Sequence, residues 1–226
     1  MVRKMEIEPI AFVRNDFKEK FGIPRQAGLA DKVESRVEFA GKYRNPDAIR
    51  GVEGFSRLWL IWGFSEAKIA EWSPTVRPPR LGGNERVGVF ATRSPYRPNS
   101  LALSSVKLLR VEGGDLIVAG ADVLDGTPVY DIKPYLPYAD AFPDERAGWT
   151  EGARELSLSV ELPDELMERI APGKREALLS VLRNDPRPTY QRDSERVYGL
   201  RFGDYNVKFT VSGDTLTVKN IEEAQK

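Results

Sequence analysis

The chain has 226 residues and sets 34 Lys and Arg against 34 Asp and Glu, for a formal net charge of zero. It contains no His and no Cys. That excludes Ser-His-Asp and Cys-His catalysis, imidazole or thiolate zinc sites, disulfides and thiol redox chemistry. Chemistry is left to carboxylates, Lys, Arg, Tyr, hydroxyls, backbone groups or a bound cofactor.

The first two-thirds reads as mostly β. Ile7 to Val13 is a strand weakened by Pro9. Leu58 to Phe64 is the longest apolar run, too short for a helix and far below the roughly 20 residues that span a bilayer. It predicts a strand covered on both faces, with Trp59, Trp62 and Phe64 in the core. No charged-then-apolar leader precedes Ile10, so the expectation is a cytoplasmic protein with no membrane segment. Arg86 to Thr92, Leu103 to Val111 and Leu116 to Val123 follow as strands, the last two joined by a Gly113-Gly114 hairpin turn. Helices of 10–15 residues do not alternate with these strands, which favours a barrel or compact sheet over a doubly wound fold.

The polar stretch Asp140 to Gly152 is the expected domain boundary, giving domains over residues 1–142 and 153–226. Beyond it, Leu156, Leu158 and Val160 alternate as a half-buried strand. One helix starts at Pro163 and stops near Pro172, and a second runs from about Lys174 to Arg183. Two strands, Tyr205 to Val211 and Thr215 to Ile221, complete a small α+β unit.

Between Thr75 and Asn99 stand Arg77, Arg80, Arg86, Arg93 and Arg97 against a single acid, Glu85, with prolines beside several of them. Proline stiffens such loops, and guanidinium groups bind phosphate or carboxylate bidentately. Two readings stand: a held, basic surface suited to RNA, or solvated loops whose arginines pair with acids elsewhere. Tyr135 and Tyr138, beside Pro134 and Pro137, are placed to face a cleft. Asp125-Gly126-Thr127-Pro128 reads as a turn, and Asp131 and Lys133 share a face of the extended segment after it. There is no Gly-x-Gly-x-x-Gly and no phosphate-binding Gly-x-x-x-x-Gly-Lys-Ser/Thr, so a Rossmann site has no support. No evenly spaced carboxylate ligands for a metal are present.

Several long motifs, in order, resemble the TsaA-like family, and most of all its bacterial tRNA methyltransferase O branch. They are Pro24-Arg25-Gln26, Arg50 to Ser56, Arg77 to Asn84, Gly88 to Asn99, Asp125 to Tyr135 and Asp185 to Tyr190. The resemblance implies a single-sheet β-barrel that binds S-adenosylmethionine, a small C-terminal domain and a homodimer. The implied reaction methylates N6 of N6-threonylcarbamoyladenosine at position 37 of a threonine tRNA. It places cofactor contacts on Pro24, Arg25, Gln26, Phe64, Ser65, Arg93, Leu103 and Asp125, Gly126, Thr127 and Pro128. The family often has His where this chain has Ser65 and Arg57, so no imidazole takes part here.

Methyl transfer to nitrogen is an in-line displacement in which orientation alone supplies about 7–11 kcal/mol, so it tolerates the missing His and Cys. On this reading Asp131 is the preferred base, ahead of Asp125 or the Tyr135 phenolate, with Lys133 or Arg97 orienting the carbamoyl group. Arg77, Arg80 and Arg97 would meet anticodon-loop phosphates, and Arg187 and Tyr190 would grip tRNA from the tail. A non-catalytic RNA-binding barrel and a methyltransferase of the same fold with another substrate are the competing expectations.

Overall fold

The computed structural model describes residues 5–66, 72–79, 84–151, 157–187, 191 and 193–224. Its N-terminal part is a closed six-stranded barrel in the order β1-β2-β7-β6-β3-β8. The strands are β1 (Ala11–Arg14), β2 (Glu34–Phe39), β3 (Arg57–Gly63), β6 (Leu101–Glu112), β7 (Asp115–Ala119) and β8 (Pro128–Pro134). A separate two-stranded ribbon pairs β4 (Thr75–Val76) with β5 (Val87–Gly88). All barrel pairs are antiparallel, and the ring closes where Ala11 lies opposite Val129. Closure leaves no barrel edge free to recruit another strand.

The barrel interior follows from a period of two. On β3, Leu58, Leu60 and Trp62 are buried while Trp59 and Ile61 are only half-buried. The expectation that Trp59 is core is therefore corrected. The run is apolar on both faces, but a barrel has one interior, and Trp59 stands on its outer wall. Gly113 and Gly114 make the expected hairpin turn, both at positive φ (62° and 84°), as a tight turn matching strand twist requires.

Sequence reading overextends the strands at β1 and β7, the helix α2 (Asp164–Met167) and the segment around β5, and it misses other strands. Of Arg86 to Thr92 only Val87–Gly88 is extended. Val89–Ala91 is a 3-10 turn, closed where the Thr92 hydroxyl donates to the Val89 carbonyl at 2.8 Å. The missed strands are β2, where charged residues alternate with Val37 and Phe39, the short β4, and β10 (Tyr198–Phe202). After β8 come the short α1 (Pro137–Asp140) and the linker.

The tail is a four-stranded sheet, order β10-β11-β12-β9, with β9 (Ser159–Glu161), β11 (Tyr205–Ser212) and β12 (Thr215–Glu223). It also holds α2 (Asp164–Met167) and α3 (Pro172–Arg183). Pro172 opens α3, where its missing N–H has no helical partner to lose. Ala177, Leu178, Val181 and Leu182 form the buried stripe of α3.

The connection from β1 to β2 crosses the boundary between these units. Phe17, Ala30 and Val33 are buried in the core of the tail, not of the barrel. Phe17 meets Phe202 edge-on, with ring centroids 6.1 Å apart. Around it, the Gly203 amide donates to the Asp16 carbonyl at 2.8 Å, the Arg201 amide to Glu19 Oε1 at 2.8 Å, and Asn184 Nδ2 to the Leu29 carbonyl at 2.8 Å. Lys174 pairs with Asp16.

Phe17→Ala removes the ring that joins the two units and should cost about 3–5 kcal/mol of unfolding free energy, read from urea denaturation of the full chain. A loss below about 1 kcal/mol would show that Phe17 does not hold the units together.

Candidate cofactor and nucleic-acid site

Two neighbouring cavities that share part of their walls lie where β3 ends and β6 begins. The larger, about 730 Å³, runs up the outer wall of the barrel past Trp59 and Ile61, under Pro24 to Ala27 on one side and Thr92, Arg93 and Arg97 on the other. The smaller, about 570 Å³, is lined by Ile23, Phe64, Ser65, Tyr96, Leu124 and Thr127 among others. Trp62, Phe64 and Asp122 line both.

The backbone around these cavities is fixed by short-range chemistry. Gly120, at φ +76°, brings its own backbone against Gly28, where a Cβ would stand 3.0 Å from the Gly28 Cα. The Gly28 amide donates to the Gly120 carbonyl at 2.8 Å, which presses Ala27 and its neighbours onto the barrel mouth. Farther along, Arg25 Nη2 donates to the Arg187 carbonyl at 2.8 Å. Arg187 is itself forked onto Asp185 through Nε at 2.8 Å and Nη2 at 2.9 Å. The tail motif Asp185 to Arg187 thus helps hold Arg25.

Opposite, Arg93 Nη1 donates to Gln26 Oε1 at 2.6 Å, linking the two loops that flank the larger cavity. Arg97 braces its own loop by donating to the Thr92 carbonyl at 2.7 Å. The Trp149 indole donates to the Ala91 carbonyl at 2.8 Å, so the linker also rests on this loop. Among the described residues no carboxylate forms an ion pair with Arg77, Arg86, Arg93 or Arg97, which favours the held basic surface over arginines paired to acids elsewhere.

Trp62 and Phe64 meet edge-to-face with centroids 4.6 Å apart. From Trp62 a hydrogen-bond chain runs inward: Nε1 donates to Ser104 Oγ at 2.9 Å, and Ser104 Oγ donates to Asp122 Oδ1 at 2.5 Å. Burial pushes the Asp122 carboxyl above the usual aspartate range, opposed by the Ser104 bond, backbone amides and the Arg93 charge. Sequence reading missed Asp122 and Ser104 as site residues. Their signal is an acid inside the otherwise apolar stretch Leu116 to Val123.

Of the residues expected at the cofactor, Pro24, Arg25, Gln26, Phe64, Arg93 and Leu103 line the larger cavity, and Phe64, Ser65 and Thr127 the smaller. The Asp125 to Pro128 turn contributes Thr127 alone. Asp125 accepts instead from the Asn15 amide and Lys18 Nζ, each at 2.9 Å, the Gly126 amide donates to the Val13 carbonyl, and Pro128 pairs with Phe12.

Asp131 and Lys133 are separated from this group. They pair with each other at 2.7 Å and line a third cavity, about 580 Å³, at the opposite barrel mouth among Tyr43, Arg50 and Phe55. Tyr135 packs on Trp59 with centroids 5.4 Å apart, and Tyr138 is exposed. Arg77 is exposed, and the Arg187 side chain, only 12% exposed, is turned onto Asp185. Arg80 and Tyr190 lie outside the described residues.

Residues 12–141 match the tRNA-methyltransferase O N-terminal domain, and residues 155–224 match the TrmO C-terminal domain. The chain belongs to the tRNA-methyltransferase O family. Its relatives include the tRNA (adenine(37)-N6)-methyltransferase of Escherichia coli K12, 39% identical over 219 residues, covering 92% of this chain and 93% of that one. A putative S-adenosylmethionine-dependent methyltransferase, RcsF, of Pseudomonas aeruginosa is 41% identical over 214 residues, covering 89% and 90%. The crystal structure of TrmO from Pseudomonas aeruginosa superposes with a TM-score of 0.79 at 33% identity, covering 97% of this chain and all of that one. A mostly-β barrel with an α+β tail is therefore the architecture of this family as well as of this chain. Among the described residues no helix is long and apolar enough to cross a membrane.

Asp185→Ala frees the Arg187 fork and should loosen the Arg25 anchor. Hydrogen exchange in a peptide covering residues 24–27 should then speed up, with strands β6 and β7 unchanged. Unchanged exchange at 24–27 would dissociate the tail from this side of the cavity.

Proposed function

We propose that the protein is an S-adenosylmethionine-dependent tRNA methyltransferase acting on N6 of N6-threonylcarbamoyladenosine at position 37 of a threonine tRNA, and that it works in the cytoplasm as a homodimer. The observation that carries this reading is the convergence of Pro24, Arg25, Gln26, Phe64, Ser65, Arg93, Leu103 and Thr127 on two neighbouring cavities with a shared wall, beside a basic loop. Relatives that cover most of the chain are named as methyltransferases of this kind.

The side chains present fit the donor. Trp62 and Phe64 offer aromatic faces to a purine, Arg25, Gln26 and Arg93 offer donors to a carboxylate, and Asp122 offers negative charge to a cation. When bound, the donor supplies a methyl group on a positively charged sulfur. The chain's own part is alignment: the tail holds Arg25, Gln26 holds Arg93, and both loops are fixed before any ligand arrives. Arg77 and Arg86, exposed at the β4–β5 ribbon, suit the phosphates of an anticodon loop. The homodimer is supported by apolar side chains left exposed near the site, Leu101, Leu103, Phe90 and Tyr96.

The test is nucleoside mass spectrometry of threonine tRNA incubated with the protein and S-adenosylmethionine. The modified adenosine should gain 14 mass units, the mass of one CH₂, with labelled donor methyl recovered on N6. Arg93→Ala should lower kcat/KM about 10- to 100-fold, chiefly through the KM for the donor. Saturable tRNA binding with no methyl transfer would favour a non-catalytic RNA-binding barrel, and transfer to a different nucleoside would correct the substrate.

A further inference from the structure

Asp122 is the only carboxylate among the described residues lining the larger cavity, which also carries Arg25, Arg57, Arg93 and Arg97. Four guanidinium groups suit anionic ligand groups and oppose a cation. A positively charged ligand entering this space needs an opposing charge, and the described lining offers one.

That charge is held in place. An indole nitrogen can only donate, so Trp62 Nε1 occupies a lone pair of Ser104 Oγ and the Ser104 hydrogen is directed at Asp122 Oδ1. The backbone amides of Ala27 and of Asp122 itself also favour the ionised carboxylate. A carboxylate has about four acceptor positions, so capacity remains after the Ser104 bond. Asp122 also lies on the wall common to both cavities, which places it beside the middle of any ligand that occupies the two together. S-adenosylmethionine has its sulfonium between the adenosine and amino-acid ends.

We infer that Asp122 reads the charge on the donor sulfur: its carboxylate favours the cationic sulfonium over the neutral thioether that remains once the methyl group has left. The inference rests on the methyltransferase reading and deepens it. S-adenosylmethionine and S-adenosylhomocysteine carry the same ribose, base and amino-acid groups, so the sulfur charge is what a carboxylate can discriminate. Such discrimination loads the site with fresh donor and lets spent donor leave. It also predicts a pH dependence of one sign. Protonating Asp122 removes the attraction, so affinity for S-adenosylmethionine falls as pH drops through the carboxyl's titration, while affinity for S-adenosylhomocysteine stays flat.

The charged and titratable groups facing Asp122 across the larger cavity are the four arginines, and those of the smaller cavity are Lys20, Glu66 and Tyr96. Glu66 is the other acid, 59% exposed and 3.6 Å from Lys20.

Calorimetric titration of the full chain with each ligand, from about pH 5 to pH 8, tests the inference. The unaltered protein should prefer S-adenosylmethionine, and its preference should shrink at low pH. Asp122→Asn should lose about tenfold or more in affinity for S-adenosylmethionine, keep its affinity for S-adenosylhomocysteine within about twofold, and lose the pH dependence. Glu66→Gln should retain that dependence. Equal loss of both ligands in Asp122→Asn would reduce the residue to a structural role and overturn the inference. So would a preference in the unaltered protein that ignores pH, a readout that holds even if the variant fails to fold. An unaltered protein that binds neither ligand would instead remove the methyltransferase reading itself.

Discussion

One stretch of chain, Asn15 to Val33, belongs to two cores at once, and the site depends on it. Its ends are strands of the barrel, while Phe17, Ala30 and Val33 are buried in the tail. The residues between, including Pro24 to Ala27, are therefore suspended across the barrel mouth and pulled from both sides. An isolated loop of this length would lose substantial conformational entropy on ordering. Burying its apolar anchors in the tail offsets that cost away from the cavity, so the cavity wall can be made of polar and charged groups. Asn15 secures the near end, with Nδ2 donating to Ser35 Oγ at 3.2 Å and the Val123 carbonyl at 3.0 Å.

Charge is segregated in a chain with none overall. Toward the opposite mouth, Arg36 and Arg44 converge on the buried Asp115, and Lys133 pairs with Asp131. At the mouth walled by Pro24 to Ala27, Arg93 and Arg97 donate to neutral acceptors, the amide oxygen of Gln26 and the Thr92 carbonyl, and so keep their charge available to a ligand. Among the described residues, the one acid lining the larger cavity is half-buried and hydrogen-bonded to Ser104. This arrangement needs no imidazole and no thiol, and so accounts for a methyltransfer site in a sequence without either.

Much of the barrel and of the tail sheet was legible because their strands obey local rules: alternation on β6 in the barrel and on β11 and β12 in the tail, and a double-glycine turn between β6 and β7. Less visible were elements defined by tertiary closure. Strand β2 carries Glu34, Arg36 and Glu38, which read as loop until their backbone is paired on both sides. Trp59 looked like core because periodicity cannot say which face of an apolar run a barrel will turn outward. The motif Asp125 to Pro128 was rightly read as a turn, yet which of its residues meets a cavity depends on Asn15 and Lys18, more than a hundred positions away. Asp122 escaped notice because its partner Ser104 lies on another strand and its burial exists only once the mouth is built. Asp131 and Lys133 share a face as the spacing requires, but the barrel turns that face toward a different cavity.

The central claim is that the donor is held at the mouth walled by Pro24 to Ala27, Arg93 and Asp122. A crystal structure of the full chain grown with S-adenosylmethionine tests it most directly. Donor density should lie across the wall shared by the two cavities, in contact with Phe64 and Asp122. Density in the cavity of Asp131 and Lys133, with the Arg93 side empty, would contradict it.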